Sequence, residues 1–277
     1  MKVIISHDVD HLYPSDHHFR DLYFPKLYVR SFLEWIKGQC SFTEFFHRCG
    51  LPFRRRLHHI PELIAYDKAH GIPSTFFFGM ANGLGMMYRR EKAEPVIKSV
   101  SEQGMDTGVH GIEYLDPQAI RAEHDAFAAL TGRQDFGIRM HYVRSSEETF
   151  SFLSEAGYLF DSTQFDKTQQ ILSPPRKVGG MWEFPLHIME GYVLAPGKLE
   201  EGKRKTRQMV EQAEAGGLPY LVILFHDVYY DKALYREWVE WYHWLISLLE
   251  EKGFEFINFR DAIRELEESA QDGKHSC

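Results

Sequence analysis

The N-terminal stretch HDVD, residues 7–10, places the carboxylates of Asp8 and Asp10 two residues apart, shortly after an apolar run at residues 3–5. The apolar run predicts a buried strand, and side chains two apart on a strand share a face. Both carboxylates can therefore point into one site. Their mutual repulsion is relieved if one binds a divalent cation and the other acts as a base. A solvated acidic turn explains these two residues equally well, so the interpretation depends on the rest of the chain.

Polar residues of similar chemistry end three further predicted strands. His110 ends the strand at residues 106–110, Arg139 and His141 end the strand at residues 137–141, and His226 follows the apolar run at residues 219–225. A single histidine at a strand end is usually a turn residue, but four strands that end in this way are hard to attribute to chance. Because the carboxyl ends of parallel strands meet on one side of an α/β fold, we expect these side chains to form one site.

The elements that must position these side chains alternate along the chain. From residue 58 onward, predicted helices and apolar strands follow one another, and several helices end at a glycine, as at Gly71, Gly104 and Gly157. This alternation predicts parallel strands covered by helices. The expected fold is an α/β irregular barrel of about seven parallel strands. We predict a single domain over residues 1–270 and a disordered tail at residues 271–277.

Residues 12–56 interrupt the pattern with an aromatic and basic block. Apolar residues recur at helical spacing between Tyr28 and Lys37, which predicts a helical insertion that folds over the mouth of the barrel as a lid. Its aromatic side chains could stack on a sugar, but packing against the body of the protein is favoured. For the three consecutive arginines at residues 54–56, exposure to solvent is favoured over an anionic ligand.

Composition limits the classes of function. The chain has 277 residues, of which 44% are hydrophobic and 26% charged, as in ordinary globular proteins. A formal net charge of −8 argues against nucleic acid as a partner. Three cysteines without a CxxC motif argue against a disulfide framework and against a cysteine-based zinc site, and they suit a reducing compartment. With no signal-peptide pattern and no run long enough to cross a membrane, we expect a cytoplasmic protein.

The motifs together resemble the polysaccharide deacetylase family, the NodB-homology or carbohydrate esterase 4 group. Within it, the chain is most similar to the WbmS-like branch found with O-antigen biosynthesis. The resemblance extends from Lys2 to about Asp261, apart from the insertion at residues 12–56. Its motifs are HDVD at residues 7–10, TFF at 75–77, RMHY at 139–142, DST at 161–163 and LFHD at 224–227.

The resemblance implies roles for individual residues. Asp8 would be the catalytic base, Asp10 and His110 would be metal ligands, and Arg139 would orient the base. The backbone N–H of Tyr142 would bind the oxyanion. His226 would be the general acid, and Asp161 would be a further catalytic residue. Trp182, Leu224 and Tyr114 would contact the substrate.

Several positions depart from the family pattern. The second metal histidine, expected four residues after His110, is replaced by Tyr114, and the carboxylate expected to tune the acid histidine is replaced by Gln164. We predict His141 as the third metal ligand, because it lies two residues after Arg139 and shares its face of the strand. Alternatives remain for the third metal ligand: Glu113 is the next candidate, His7, His11 and His226 are weaker ones, and water alone could complete the site. Asp227 or Asp166 could replace the missing carboxylate.

The predicted activity is the hydrolysis of acetyl groups, N-acetyl above all, from a carbohydrate during the synthesis of surface polysaccharide or O-antigen. A divalent metal, for which zinc is expected, would polarise the amide and lower the pKa of a water molecule. The expected partner is an acetylated sugar or polysaccharide precursor. Two alternatives remain: a catalytically impaired glycan-binding protein, and a metal amidohydrolase that acts on a non-sugar amide.

Overall fold

The computed structural model describes residues 1–17, 22–168 and 171–275, and this part of the chain forms ten strands and ten helices. The strands are β1 (Lys2–Val9), β2 (Thr75–Gly79), β3 (Asp106–Gly111), β4 (Ile138–Met140), β5 (Phe160–Asp161), β6 (Arg176–Val178), β7 (Met181–Glu183), β8 (Ile188–Met189), β9 (Tyr220–Leu224) and β10 (Glu255–Phe256). The helices are α1 (Tyr23–Ile36), α2 (Phe42–Cys49), α3 (Ile60–Ala69), α4 (Arg90–Glu102), α5 (Pro117–Thr131), α6 (Thr149–Ala156), α7 (Glu190–Val193), α8 (Leu199–Ala215), α9 (Arg236–Glu251) and α10 (Phe259–His275).

The strands form one sheet in the order β6-β7-β5-β4-β3-β2-β1-β9-β8, with β10 beside β1. All described pairs are parallel except the β6–β7 hairpin. β1 lies at the centre, between β2 and β9. Parallel strands place all their carboxyl ends on the same side, as the sequence predicts for the site residues.

One extended segment, residues 181–189, joins the two edges of this sheet. Its first part, β7, pairs with β5, Leu186 bridges to Phe165, and its last part, β8, pairs with β9. The sheet therefore curls into an irregular barrel whose parallel strands are β1 to β5, the β7–β8 segment and β9. This arrangement confirms the predicted fold class.

Apolar residues alternate between two sides of the barrel wall. Val3 and Ile5 of β1 belong to the outer core, where the strands pack against helices, whereas Ile4 belongs to the inner core together with Phe77 of β2. Side chains of odd number in β1 therefore face the helices, and those of even number face the barrel interior. This parity directs Asp8 inward.

The insertion contains helices where the sequence predicts them, α1 and α2, but the packing differs from the prediction. Phe24 is buried, whereas Phe42, Phe46 and Phe53 are largely exposed, so packing against the body is the wrong interpretation for these three rings. The three consecutive arginines, residues 54–56, are also less exposed to solvent than the sequence predicts. Arg54 forms an ion pair with Asp231 and Arg56 forms one with Glu62, and Arg55 alone of the three is exposed.

The C-terminal helix is longer than the sequence predicts. The sequence predicts a tail that begins at residue 271, but α10 continues to His275. Residues 271–275 are therefore helical rather than a disordered tail, and residues 276–277 lie outside the described part of the chain. Among the described residues, no helix is both long enough and apolar enough to cross a bilayer.

Gly137 allows β4 to approach β5 closely. A Cβ atom built on Gly137 would lie 2.3 Å from Cε2 of the Phe160 ring, which is far inside van der Waals contact. Phe160 is fully buried and stacks on Phe259 with 4.4 Å between ring centroids. The ring therefore has little room to move away.

We predict that Gly137→Ala lowers the free energy of unfolding by about 1–3 kcal/mol, because the added methyl group overpacks the barrel interior. Urea unfolding monitored by circular dichroism measures this difference. The matched control is Gly180→Ala, where no atom lies within 4 Å of the added Cβ and the change should stay within about 0.5 kcal/mol. Equal stability of the two variants would contradict the proposed close packing.

Candidate metal centre and active site

A cavity of about 840 Å³ opens at the carboxyl ends of the barrel strands and contains most of the predicted site residues. Asp8 and Asp10 reach it from the end of β1, His141 and Tyr142 from the end of β4, and His226 from the end of β9. His110, from β3, is buried directly beside Asp10. The structure thus brings together residues that lie more than 200 positions apart in the sequence.

Asp10, His110 and His141 form a compact cluster of three potential metal ligands. Oδ1 of Asp10 lies 3.2 Å from Nε2 of His110 and 3.3 Å from Nδ1 of His141. The two imidazole nitrogens are 3.0 Å apart. His141, the ligand predicted to replace the missing family histidine, is therefore within reach of the same ion as the other two residues.

Two backbone carbonyl groups fix the orientation of both imidazoles. Nδ1 of His110 lies 2.9 Å from the carbonyl oxygen of Arg139, and Nε2 of His141 lies 3.2 Å from that of Leu84. A carbonyl only accepts hydrogen bonds, so each of these nitrogens carries a proton and donates it. In the neutral rings the lone pairs on the remaining nitrogens then face each other and Asp10. Such outer hydrogen bonds are typical of metal-binding histidines.

The polar groups in this cluster fit a cation. Oδ1 of Asp10 is buried and forms no hydrogen bond of acceptable geometry with the described residues. Burial alone would raise the pKa of Asp10, but its contacts with His110 and His141 and the charge of His226 hold that pKa well below its usual value. Burial would likewise lower the pKa of His110, yet the charges of Asp8 and Asp10 raise it. The cluster therefore attracts positive charge.

Arg139 holds Asp8 beside this cluster. Its side chain is fully buried, and Nη1 donates hydrogen bonds to Oδ1 of Asp8 at 3.0 Å and to Oγ of Ser6 at 2.8 Å. Nε and Nη2 donate to the carbonyl oxygen and the hydroxyl group of Ser162. The other carboxylate oxygen of Asp8 lies 3.7 Å from Nε2 of His110. Arg139 thus fixes one oxygen of Asp8 and leaves the other beside the cluster.

Glu190 accompanies His226 on the opposite side of the cavity. Oε1 of Glu190 accepts a hydrogen bond from Nδ1 of His226 at 2.6 Å, and Nε2 of His226 lies 3.9 Å from Oδ2 of Asp10. Burial would lower the pKa of His226, but the charge and hydrogen bond of Glu190 dominate and raise it to about 10. His226 is therefore protonated at neutral pH in the absence of a metal ion.

The sequence prediction that Asp227 or Asp166 supports His226 is wrong. Asp227 is fully buried and accepts a hydrogen bond from the backbone N–H of His59 at 3.0 Å, and burial raises its pKa to about 8. Asp166 accepts hydrogen bonds from Thr168. The supporting carboxylate comes instead from Glu190, at the start of α7.

Tyr142 occupies an unusual backbone conformation at the mouth of the cavity. Its φ is 59°, in the left-handed region that costs energy for a residue with a side chain. Its hydroxyl group donates a hydrogen bond to the carbonyl oxygen of Leu84 at 3.2 Å. The same carbonyl holds His141, so the turn after β4 is tied to the loop that contains Leu84. Leu224, predicted to contact the substrate, also lines the cavity.

Besides the buried residues His110 and Arg139, three predicted site residues do not line the cavity. Asp161 is fully buried, where it accepts hydrogen bonds from Thr163, and burial raises its pKa. The indole of Trp182 packs against the inner core beside α10, with Nε1 3.4 Å from Oε1 of Glu267. The ring of Tyr114 lies under the guanidinium group of Arg144, 4.9 Å from its carbon.

The alternative ligands have other partners. Glu113 accepts hydrogen bonds from the backbone N–H groups of Tyr114 and Leu115 and shapes its own loop. His7 has the outward parity of β1, and its Nε2 lies 3.0 Å from Asp67 of α3. His11 lines the cavity but contacts Nε2 of His17 through Nδ1, at 3.1 Å.

Sequence reasoning did not identify Glu190 or the carbonyl of Leu84. Glu190 directly follows β8, which has only two residues, too few for an apolar pattern to predict a strand. The available signal was a carboxylate after the apolar residues Ile188 and Met189. The role of the Leu84 carbonyl could not be predicted, because every residue has a backbone carbonyl and the sequence does not indicate which one accepts a hydrogen bond from a site residue.

Comparison with known proteins finds no matching family model and no matching curated protein. Among solved structures, a protein described as a polysaccharide deacetylase from Mycobacterium smegmatis aligns with a TM-score of 0.61 and 16% identity, over 98% of this chain and 91% of that one. PuuE allantoinase aligns with a TM-score of 0.60 and 14% identity, over 95% and 89% of the two chains. A polysaccharide deacetylase from Pseudomonas aeruginosa PAO1 aligns with a TM-score of 0.58 and 13% identity, over 95% and 89%. The chain therefore has the fold of the polysaccharide deacetylases that its motifs resemble.

Proposed function

We propose that this protein is a metal-dependent deacetylase that hydrolyses an N-acetyl group of a carbohydrate. The observation that carries the proposal is the convergence of three kinds of group in one cavity. These are the cluster of Asp10, His110 and His141, the buried pair of Arg139 and Asp8, and the imidazole of His226. Amide hydrolysis needs an electrophilic centre, a proton acceptor and a proton donor, and the cavity offers a candidate for each.

Asp10, His110 and His141 would hold the divalent metal. Two imidazole nitrogens and one carboxylate oxygen form a common ligand set of catalytic zinc, and zinc is therefore the proposed ion. When bound, the ion supplies a Lewis acid that polarises the acetyl carbonyl and lowers the pKa of a water molecule. The orientation of the two rings by the carbonyl groups of Arg139 and Leu84 supports this assignment.

The remaining steps are assigned to residues of this chain. Asp8, held by Arg139 through one oxygen, accepts the proton of the attacking water with the other. The backbone N–H of Tyr142 is the proposed donor to the oxyanion. His226 then donates the proton on Nε2 to the departing nitrogen, while Glu190 holds Nδ1. The C–N bond breaks, a C–O bond forms, and acetate and a free amine result.

The cavity lining supports a carbohydrate as the substrate. Five tyrosine rings contribute to it, and tyrosine combines a flat apolar body with a polar hydroxyl group, as recognition of a sugar ring requires. They come from α1, from the turn after β4, from α7 and from the segment that follows β9: Tyr23, Tyr142, Tyr192, Tyr229 and Tyr235. Surface-polysaccharide or O-antigen synthesis, in the cytoplasm, is the pathway that the resemblance of the motifs suggests.

A metal amidohydrolase acting on a non-sugar amide is the second candidate. The observation that favours it is the alignment with PuuE allantoinase, at a TM-score of 0.60, almost the same as that of the deacetylase from Mycobacterium smegmatis. The fold therefore does not separate the two substrate classes.

The test of the proposed function measures the release of acetate from a panel of N-acetylated and O-acetylated sugars and, in a separate assay, the hydrolytic ring opening of allantoin, the non-sugar amide. We expect acetate release from at least one N-acetylated sugar, loss of the activity after treatment with a chelator, and recovery on addition of zinc. Hydrolysis of allantoin alone would favour the second candidate. Binding of a glycan without turnover at any metal concentration would identify a catalytically impaired protein.

We predict that Asp8→Asn and Asp10→Asn separate metal binding from turnover. Asp8→Asn should abolish acetate release while a stoichiometric divalent metal stays bound, because its carboxylate acts as the base. Asp10→Asn and His141→Ala should each weaken metal binding by at least about tenfold, because each loses a ligand. Metal content by atomic absorption and acetate release by a coupled assay measure the two properties. Metal loss in the Asp8 variant with retention in the Asp10 variant would reverse the assigned roles.

We predict that Glu190→Gln moves the alkaline limb of the pH–rate profile to lower pH. Glu190 raises the pKa of His226, and the acid must be protonated, so activity is present below this pKa and lost as the pH rises through it. Removing the negative charge lowers the pKa of His226, so the loss begins earlier. Glu200→Gln, on the exposed surface of α8, is the control and should leave the profile unchanged. An unchanged alkaline limb in Glu190→Gln would contradict the role of Glu190.

A further inference from the structure

The hairpin of α1 and α2, residues 22–56, contacts the barrel through a mixed apolar and charged surface. Phe24 and Leu51 form a small apolar cluster with Leu234, and a buried ion pair lies beside them. Glu34 is 8% exposed and Arg48 is 6% exposed, and the two form an ion pair. Nη2 of Arg48 also donates a hydrogen bond to the carbonyl oxygen of Leu234, at 3.1 Å. The hairpin is thus anchored to the barrel by an apolar cluster together with charged groups that a surface helix normally turns toward water.

The outward side of this hairpin is apolar and contiguous. The ring centroids of Trp35 and Phe42 are 5.7 Å apart, and those of Phe42 and Phe46 are 6.0 Å apart. Phe42 and Phe46 are 59% and 67% exposed. Monomeric globular proteins rarely expose such a patch without a binding role. We call it the hairpin face and define it by Phe32, Leu33, Trp35, Ile36, Phe42 and Phe46, all of them more than a third exposed.

The hairpin also differs in charge from the rest of the chain. Residues 22–56 contain seven Lys or Arg and two Glu, a formal charge of +5, whereas the whole chain carries −8. Two of these arginines pair with carboxylates outside the hairpin, Arg54 with Asp231 and Arg56 with Glu62. A positive, aromatic surface on an acidic protein is complementary to an anionic partner.

A groove along α1 has the same mixed character. Its volume is about 580 Å³. It is lined by the apolar residues Val29 and Leu33, by the cationic residues Lys26, Arg30 and Lys37, and by Glu34, whose carboxylate is paired with Arg30 and Arg48. An apolar floor between two ammonium groups suits a molecule that combines a hydrocarbon chain with a phosphate.

We propose that the hairpin face docks the protein on a phospholipid bilayer that contains anionic headgroups. Tryptophan and phenylalanine side chains insert at the boundary between headgroups and acyl chains, and neighbouring cations are attracted to the negative surface. The opposite side of α1 contributes Tyr23, Leu27 and Arg30 to the lining of the catalytic cavity. Docking would therefore hold the mouth of that cavity beside the membrane surface. The inference does not require the proposed deacetylase activity.

A second copy of this chain fits the hairpin face less well than a bilayer. In a symmetric dimer the same patch meets itself, so the positive charges of one hairpin would face those of the other. An anionic bilayer instead attracts every one of these charges, and charge complementarity therefore favours the membrane.

The experiment measures sedimentation of the full-length protein with vesicles of phosphatidylcholine, alone or mixed with phosphatidylglycerol. We expect binding to the mixed vesicles that decreases at high salt, because the Debye length shortens from about 10 Å at 0.1 M to about 3 Å at 1 M. The double variant Phe42→Ser/Phe46→Ser should bind at least about tenfold more weakly, because two exposed rings no longer insert. Leu115→Ser, which removes an apolar side chain that is 55% exposed outside the hairpin, is the matched control and should bind as the unaltered protein does.

Trp35 provides a second measurement that does not depend on the folding of the double variant. Brominated lipids in the mixed vesicles should quench part of the tryptophan fluorescence, and Trp35→Phe should remove that quenching while the variant still sediments with the vesicles. Quenching that persists in Trp35→Phe would overturn the proposal. So would absence of binding to the mixed vesicles, binding unaffected by Phe42→Ser/Phe46→Ser, or a dimer in solution that this double variant dissociates and that does not bind vesicles.

Discussion

The burial of one guanidinium group, that of Arg139, determines how the site is built. An isolated charge in the interior of a protein costs several kcal/mol, so its partners must be held in place. Asp8, Ser6 and Ser162 supply them, and the ring of Phe77 lies 4.7 Å from the guanidinium carbon. The carbonyl oxygen of the same residue accepts the hydrogen bond of His110. A single residue of β4 thus orients both the proposed base and a proposed metal ligand.

The closure of the barrel brings Glu190 into contact with His226. The segment at residues 181–189 pairs with β5 at one end and with β9 at the other, and Glu190 follows it directly. The position of the Glu190 carboxylate, which accepts the hydrogen bond of His226, therefore depends on the same backbone pairing that closes the barrel. If this segment were displaced, His226 would lose Glu190 and the cavity would lose one wall.

The sequence predicts the inner residues of the site well, because their positions follow from two simple rules. Strand ends meet on one side of a parallel barrel, and side chains two apart share a face, which is sufficient to group Asp8 and Asp10 with His141. Trp182 is opposite Phe160 in the pairing of β7 with β5 and packs against the inner core beside α10, and it does not line the cavity. Glu190 could not be predicted, since it depends on tertiary pairing of a two-residue strand. The exposed apolar side of the α1–α2 hairpin could not be predicted either, because helical periodicity does not show which side is buried when an ion pair, Glu34 with Arg48, lies within the inner contact.

The central claim is that Asp10, His110 and His141 bind one divalent metal ion in place of the ligand set that Tyr114 interrupts. X-ray absorption spectroscopy of the zinc-loaded protein tests it most directly, because scattering by imidazole rings reports how many histidines bind the ion. The account predicts one tightly bound zinc per chain with two imidazole ligands, and one imidazole fewer in His141→Ala. A spectrum with a single imidazole in the unaltered protein, or the absence of stoichiometric zinc, would contradict it.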